Sequence, residues 1–298
     1  MTLQGFFDLC QRRLGPLYPA QEVKAIAFRL LEHYTDIPSY KYVAEPDFII
    51  DASLRSDVPS PSQKNARSTE HHPLSCAIDE LATGRPLQYV LGFTEFCGHR
   101  FKVGDGCLIP RPETEELVSR IIDDLSGTEI SDEPFNILDL CTGSGCIAWS
   151  LAAEFPEAMV YGCDLSDAAL RYACRQRVKV RGAKPIFFSA DVLAAPPAGL
   201  PKFDVIVSNP PYICESERAA MRPNVLGFEP AEALFVPDED PLRFYRAIAR
   251  WTDVLLRPDG RLYLEINERF GPAVAALFPD SRVLQDFSGR DRFIVSSL

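Results

Sequence analysis

The stretch Val205-Ile206-Val207-Ser208-Asn209-Pro210-Pro211-Tyr212 joins a short apolar run to a polar residue, two prolines and an aromatic. Its β-branched run at 205–207 is too short for a helix and predicts a buried strand. Neither proline can donate a hydrogen bond to a neighbouring strand, so the strand must end before Pro210. Asn209 is then extended at the strand tip, because a residue before proline avoids the helical region.

This strand tip is predicted to bind a planar amide or amino group. Ligands of open α/β sheets bind beyond the carboxyl ends of the strands. There Asn209 offers an acceptor oxygen and an NH₂ donor, and the Pro210 carbonyl offers a second acceptor. Two neighbouring acceptors can hold both hydrogens of one NH₂ group, and Tyr212 adds a flat face. We therefore interpret Asn209, Pro210 and Tyr212 as catalytic, and the same residues with Pro211 as substrate-binding.

From residue 134 onward, strands and helices are predicted to alternate. The strands are expected at 136–140, 159–163, 185–188, 205–208 and 261–266, and the helices at 145–155, 167–180, 240–256 and 269–278. Two last strands, 281–287 and 292–297, are joined by a link too short for anything but an antiparallel pair. The pattern predicts an α/β fold with a doubly wound, seven-stranded, mostly parallel sheet covered by helices.

The part before this sheet is predicted to form a small helical domain over 1–84 and a β-hairpin linker over 85–108, with strands at 89–93 and 100–103. The helical domain carries 8 basic and 11 acidic residues, a net of −3, which favours docking of a protein substrate. Its segment 51–72 is polar and without periodicity, and is interpreted as an insertion. The catalytic domain is expected over 109–298, with a helix beginning near Pro112.

A glycine loop, Asp139-Leu140-Cys141-Thr142-Gly143-Ser144-Gly145, follows the first strand of the sheet. Its glycines let the backbone approach a ligand closely. The pattern also fits a dinucleotide-binding loop, with Asp164 about 20 residues further on, so an NAD enzyme is the competing interpretation. The other competing interpretation is a glycine turn that serves packing only and binds no ligand.

The acidic residues at successive strand tips favour a different cofactor. Asp139, Asp164 and Asp191 close or follow the first three strands. Acids along this edge disfavour a pyrophosphate but suit S-adenosylmethionine, which carries an ammonium, a sulfonium, ribose hydroxyls and an adenine amine. We assign Asp164 to the ribose hydroxyls, Asp191 to the adenine region, and Asp139 to an action through the loop or water. Five further residues are expected at the cofactor: Cys141, Thr142, Gly143, Ser144 and Gly145.

The composition of the chain limits the kinds of partner and the compartment that we expect for the protein. The net charge of −11 argues against nucleic acid as the main partner. No apolar run approaches the ~20 residues of a membrane span, and the N-terminus lacks a secretory pattern, so a cytoplasmic protein is expected. The nine cysteines include no Cys-x-x-Cys pair, and we expect free thiols and no metal site. We expect a monomer.

The Asn209–Tyr212 stretch resembles the Asn-Pro-Pro-Tyr motif of class I methyltransferases that modify planar nitrogens. That motif is shared by adenine-N6 DNA methyltransferases and protein-glutamine enzymes. The segments 88–92, 96–103, 108–115, 139–146, 209–213 and 289–293 together resemble the HemK/PrmC-type release-factor glutamine methyltransferases, over about residues 85–298. A DNA methyltransferase should also carry a basic target-reading domain, and none is evident.

The resemblance implies transfer of a methyl group from S-adenosylmethionine to the glutamine of the Gly-Gly-Gln motif of a class I peptide-chain release factor. It further implies that Arg111 and Thr114 hold the substrate backbone, and that Asn209 and Val192 also contact the cofactor. Three positions depart from the family pattern: Cys141 replaces a glycine, Phe228 replaces a histidine, and Val192 replaces an aromatic residue.

Overall fold

The computed structural model describes residues 1–38, 40–50, 55, 73–126 and 134–297. They form two compact units. One comprises Met1–Gly92 with Arg222–Phe228, and the other comprises Phe93–Met221 with Glu229–Leu298. The polar segment 51–72 lies outside the described residues except for Arg55. The limits of the expected domain and linker therefore stay a prediction.

The first unit is helical, as the sequence predicts for its residues 1–84. Its helices are α1 (Leu3–Leu14), α2 (Ala20–Tyr34), α3 (Lys41–Ala44), α4 (Pro73–Leu81), α5 (Leu87–Leu91) and α9 (Pro223–Phe228). Thr2 caps α1 by accepting a hydrogen bond from the Gly5 amide. The apolar faces of α1, α2 and α4 are buried, and Phe6, Leu30 and Leu81 are fully enclosed.

The second unit contains a seven-stranded sheet. Its strands are β3 (Asn136–Leu140), β4 (Met159–Asp164), β5 (Ile186–Ser189), β6 (Phe203–Ser208), β9 (Leu256–Glu265), β10 (Ser281–Gln285) and β11 (Asp291–Ser297). They are arranged in the order β10-β11-β9-β6-β3-β4-β5. Strands β9, β6, β3, β4 and β5 are parallel, whereas β11 is antiparallel to both neighbours. The predicted fold class is confirmed, including its antiparallel closing pair.

Helices cover both faces of this sheet: α6 (Pro112–Leu125), α7 (Cys146–Glu154), α8 (Asp167–Ala173), α10 (Arg243–Leu255) and α11 (Gly271–Ala275). Two small sheets complete the unit, β1 (Phe93–Phe96) with β2 (His99–Lys102), and β7 (Ile213–Cys214) with β8 (Phe235–Val236). Separate apolar clusters lie on the two faces, one around Trp149 and the other around Trp251. No helix within the described ranges has the length and apolar character needed to cross a bilayer.

Two predicted elements differ most from the structure, and β9 also begins at Leu256 rather than at 261. The expected strand 89–93 is wrong, because 87–91 is helix α5, which begins after Pro86 and ends at Gly92 with φ +79°. The expected helix 167–180 ends at Ala173. Beyond it the buried Gln176 side chain bonds the backbone of Lys102 and the Ser144 carbonyl, which carries the chain away from a helical path.

Candidate active site

A pocket of about 350 Å³ lies beyond the carboxyl ends of β3, β4, β5 and β6. The strand order reverses between β3 and β6, and open α/β sheets bind their ligands at such a point. The predicted site residues that line this pocket are Cys141, Gly143, Asp164, Asp191, Val192, Asn209 and Pro211. The sheet therefore brings together residues that are up to 70 positions apart.

The glycine loop forms one wall. Gly143 has φ +55°, and a side chain added there would meet no atom within 4 Å, so its backbone is open to a ligand. Gly145 has φ +78° and is enclosed instead, with Phe187 only 3.0 Å from where a Cβ would stand. Cys141 adopts φ +59°, a conformation that favours glycine, at the position where the resemblance expects one. Thr142 and Ser144 are buried behind the wall.

Asp139 holds this loop from below. Its Oδ2 accepts hydrogen bonds from the Thr142 hydroxyl at 2.5 Å and from the Ala148 amide at 3.2 Å. The side chain is fully buried, and this burial raises the pKa of Asp139 to about 7. Asp139 is not among the residues that line the pocket. The arrangement supports its predicted action through the loop.

The pocket lining is acidic. It contains Asp164, Asp191 and Glu232, and within the described part of the chain it contains no Lys, Arg or His. Both Asp164 oxygens are oriented by backbone amides, those of Gly143 and Ser166, each at 2.8 Å. Burial raises the pKa of Asp164, and its hydrogen bonds from backbone amides oppose that rise. Such a lining fits a ligand that carries positive charge and hydroxyl groups, and it repels a pyrophosphate.

Asn209 is fixed at the tip of β6 by a hydrogen-bonded chain. Its Nδ2 donates to the Thr114 hydroxyl at 3.0 Å, and that hydroxyl donates to Glu265 Oε2 at 2.7 Å. The Tyr212 hydroxyl donates to the other Glu265 oxygen at 2.9 Å. Within the described residues, neither Asn209 Oδ1 nor the Pro210 carbonyl accepts a hydrogen bond. Two acceptors therefore remain for a ligand.

The predicted substrate residues Arg111 and Thr114 both have protein partners. The Arg111 guanidinium donates to Glu229 Oε1 at 2.7 Å, and the Ile109 amide donates to Glu229 Oε2 at 3.1 Å. Glu229 is buried, whereas the Arg111 side chain is 31% exposed. Thr114 is buried beneath Asn209. Sequence reasoning assigned no role to Glu229, Glu232 or Glu265. Glu229 does carry a signal, because it follows Phe228 in a segment that resembles the family pattern, and Glu265 is an acid at a strand tip.

This sheet order, the glycine loop after β3, and an acidic pocket between β3 and β6 define a class I methyltransferase that uses S-adenosylmethionine. The methyltransferase small domain family matches residues 124–224. The release factor glutamine methyltransferase of Bacteroides thetaiotaomicron is 38% identical over 292 residues, which is 96% of this chain and 97% of that protein. Its namesake from Flavobacterium psychrophilum is 35% identical, over 99% of this chain and 98% of that protein. The chain belongs to the release factor glutamine methyltransferase family.

Proposed function

We propose that this protein transfers a methyl group from S-adenosylmethionine to the side-chain amide nitrogen of the glutamine in the Gly-Gly-Gln motif of a class I peptide-chain release factor. Its place in the family supports this proposal. The structural observation that carries it is the pair of acceptors, Asn209 Oδ1 and the Pro210 carbonyl, beside an acidic pocket. A primary amide has two hydrogens to donate, and this pair of acceptors can take both.

The pocket residues fit the cofactor. In this proposal the Gly143 backbone approaches the methionine portion, Asp164 accepts from the ribose hydroxyls, and Asp191 with Val192 borders the adenine. The carboxylates of Asp164, Asp191 and Glu232 offset the positive charge of the ammonium and sulfonium groups. When bound, the cofactor supplies an activated methyl group.

An amide nitrogen is a weak nucleophile, because its lone pair is delocalised into the carbonyl. Asn209 and Pro210 would overcome this by accepting both of its hydrogens and fixing the direction of the nitrogen. The same two oxygens would stabilise positive charge that grows on the nitrogen during transfer. Tyr212 would pack on the amide plane, with its ring held through its hydroxyl by Glu265. Formation of the nitrogen–methyl bond would require the nitrogen to release one of its two protons, which we assign to solvent. We assign no general base, and these residues would supply orientation and charge stabilisation.

The alternative of an adenine-N6 DNA methyltransferase is not favoured. It would share the Asn209 site, because adenine also presents an NH₂ group. The chain carries a net charge of −11, whereas DNA binding needs clustered Lys and Arg to neutralise phosphates. The curated relatives that span nearly the whole chain bear the release factor name.

Labelled S-adenosylmethionine tests the function directly. We expect the protein to label a recombinant release factor, with mass spectrometry placing one methyl group on the glutamine of Gly-Gly-Gln. The matched control substrate is the same release factor with that glutamine changed to glutamate. A DNA duplex with adenines is included as a competing substrate. Label on adenine, or label retained on the glutamate control, would contradict the proposal.

We further propose that residues 1–84 dock the protein substrate and that the enzyme works as a cytoplasmic monomer without nucleic acid or membrane partners. The first unit carries a net of −3 over 1–84 and exposes apolar side chains at Leu17, Tyr40, Val43 and Ile49. Light scattering tests whether the protein is a monomer in solution. Fractionation of the source cells tests whether it lies in the cytoplasm.

The docking role is tested with one exposed valine in each unit. Val43 is 82% exposed on α3, and Val254 is 51% exposed on α10. Val43→Glu should raise KM for the whole release factor and spare methylation of a short glutamine peptide, because a charge at an apolar contact is costly to bury. Val254→Glu is the control and should leave both substrates unchanged. Equal effects of Val43→Glu on peptide and protein would contradict docking.

A further inference from the structure

We infer that Glu265 is the positioning residue of the target site and that it sets the donor–acceptor orientation of the Asn209 amide through Thr114. The inference rests on the proposed function in one respect, that the target amide binds at Asn209. The geometry beneath Asn209 is independent of that function. It joins three elements, the tip of β6, the first turn of α6 and the end of β9.

The direction of each hydrogen bond follows from the chemistry of the groups. An ionised carboxylate can only accept hydrogen bonds, so the Thr114 hydroxyl must donate its one hydrogen to Glu265. The Thr114 oxygen is then an acceptor towards any other partner. Asn209, at 3.0 Å, must present its NH₂ group to that oxygen. Its carbonyl oxygen is thereby turned away from Thr114.

This fixed direction matters because an asparagine side chain can otherwise flip. In the flipped state Asn209 would present an NH₂ donor to the NH₂ group of the target, and two donors cannot bond each other. Glu265 excludes that state without touching the target. It also holds Tyr212 through the second carboxylate oxygen, so one buried group orients both side chains of the motif.

Both oxygens of Glu265 serve as acceptors, one for the Thr114 hydroxyl and one for the Tyr212 hydroxyl. It is 1% exposed, and this burial raises its pKa, whereas the hydrogen bonds from Thr114 and Tyr212 and the nearby Arg292 favour its charged form. Arg292 is held in turn by Asp286 at 3.2 Å and by the Ile266 carbonyl at 3.2 Å. A buried carboxylate with two hydroxyl donors and a fixed cation nearby keeps its charge better than an isolated one. Glu113 and Tyr245 are further titratable groups near Glu265 among the described residues.

The kinetic test uses Glu265→Met, which removes both acceptor oxygens, and Thr114→Val, with Thr114→Ser as the matched control that restores the hydroxyl. We expect Glu265→Met and Thr114→Val each to lower kcat for release-factor methylation about 10- to 100-fold, with S-adenosylmethionine affinity within about twofold by calorimetry. Thr114→Ser should stay close to the wild type. The double variant should be no slower than the slower single variant, because both changes break one chain. If the two reductions in kcat multiply in the double variant, or if kcat is unchanged in Thr114→Val, the inference is overturned.

A second measurement reads the Asn209 amide without any substrate. Asparagine-selective ¹⁵N labelling shows the side-chain NH₂ resonances, and Asn209→Ala identifies the one that belongs to Asn209. We expect slow hydrogen exchange at this NH₂ in the wild type and in Thr114→Ser, and faster exchange in Thr114→Val and Glu265→Met. If the wild type fails to methylate release factors, the proposed function is wrong and this spectrum still decides the role of Glu265. Equal exchange in all four proteins would overturn it.

Discussion

Arg111 donates a hydrogen bond to Glu229 at 2.7 Å although the two residues are 118 positions apart. Glu229 directly precedes Pro230, which lines the pocket together with Glu232 and Ala233. The same carboxylate accepts from the Ile109 amide. One buried acid thus ties the proline-flanked loop before α6 to the segment that forms one wall of the pocket.

Arg111→Met should lower the free energy of unfolding by about 2–4 kcal/mol, because it leaves the buried Glu229 without its cation. The double variant Arg111→Met/Glu229→Gln should recover part of this loss, since no charge is then left unpaired. Urea denaturation of both variants measures the difference. If Arg111 only holds the substrate, the role that the family resemblance implies, Arg111→Met should raise KM for the release factor and leave stability unchanged.

Cys141 offers a test of backbone strain in the glycine loop. At φ +59° a side chain costs on the order of 1 kcal/mol relative to glycine, so Cys141→Gly should be more stable than Cys141→Ala by about that amount. Both variants remove the thiol, so their difference isolates the backbone term. Ala25, exposed within α2, is the control position, where glycine should instead destabilise by about 1 kcal/mol. Thermal unfolding measures the stability of the protein with glycine relative to the protein with alanine at each position. The same sign of this difference at both positions would contradict the prediction.

The raised pKa of Asp139 predicts that the free energy of unfolding depends on pH. Burial raises its pKa from 3.8 to about 7, so the folded protein holds a proton that the unfolded chain releases near pH 4. The resulting stabilisation is complete below about pH 4 and is lost as the pH rises through 7, a change on the order of 4 kcal/mol. Asp139→Asn cannot ionise. Its unfolding free energy relative to the wild type should therefore rise between pH 5 and pH 8.

Urea denaturation at these two pH values checks this expectation. Asp253→Asn, at an exposed site on α10, controls for the loss of one carboxylate. A difference between Asp139→Asn and the wild type that stays constant with pH would show that Asp139 does not hold the proton.

Asp164→Asn should weaken S-adenosylmethionine binding about 10- to 100-fold. Both oxygens of Asp164 accept from backbone amides, so an asparagine NH₂ would face a donor on one side whichever way it turned. Asp191→Asn is the comparison within the same pocket. The Asp191 side chain has one such acceptor contact, to the Leu193 amide, which an amide oxygen can keep. Calorimetry should show that Asp191→Asn loses less affinity for S-adenosylmethionine than Asp164→Asn. Equal losses of affinity would contradict this explanation.

The features that could be predicted from sequence are those set by local chemistry. The run at 205–207 and the prolines after it determine where β6 ends, and the acids at strand tips identify the pocket edge. Contacts between distant residues could not be predicted. The early end of α8 depends on Gln176 meeting Lys102 and Ser144, and the orientation of Asn209 depends on Thr114, which is 95 positions away.

The same distant contact decides the outcome of substitutions at Asn209. Asn209→Ala removes one of the two proposed acceptors, and kcat should fall about 100-fold or more. Its fold should persist, because a half-buried strand tip contributes little to the core. Calorimetry with S-adenosylmethionine and thermal unfolding are the controls that separate lost chemistry from lost structure.

Asn209→Asp is the sharper variant. If Asn209 only accepted from the target amide, aspartate would retain an acceptor of nearly the same shape and more activity than alanine. The structure gives the Asn209 NH₂ a second task, donating to the Thr114 hydroxyl, whose hydrogen is already committed to Glu265. An aspartate would place a carboxylate against an oxygen that has no hydrogen left to donate, and add a negative charge close to Glu265. We therefore expect Asn209→Asp to be as inactive as Asn209→Ala in release-factor methylation, and an aspartate variant with clearly higher kcat would show that Thr114 does not bind the Asn209 amide.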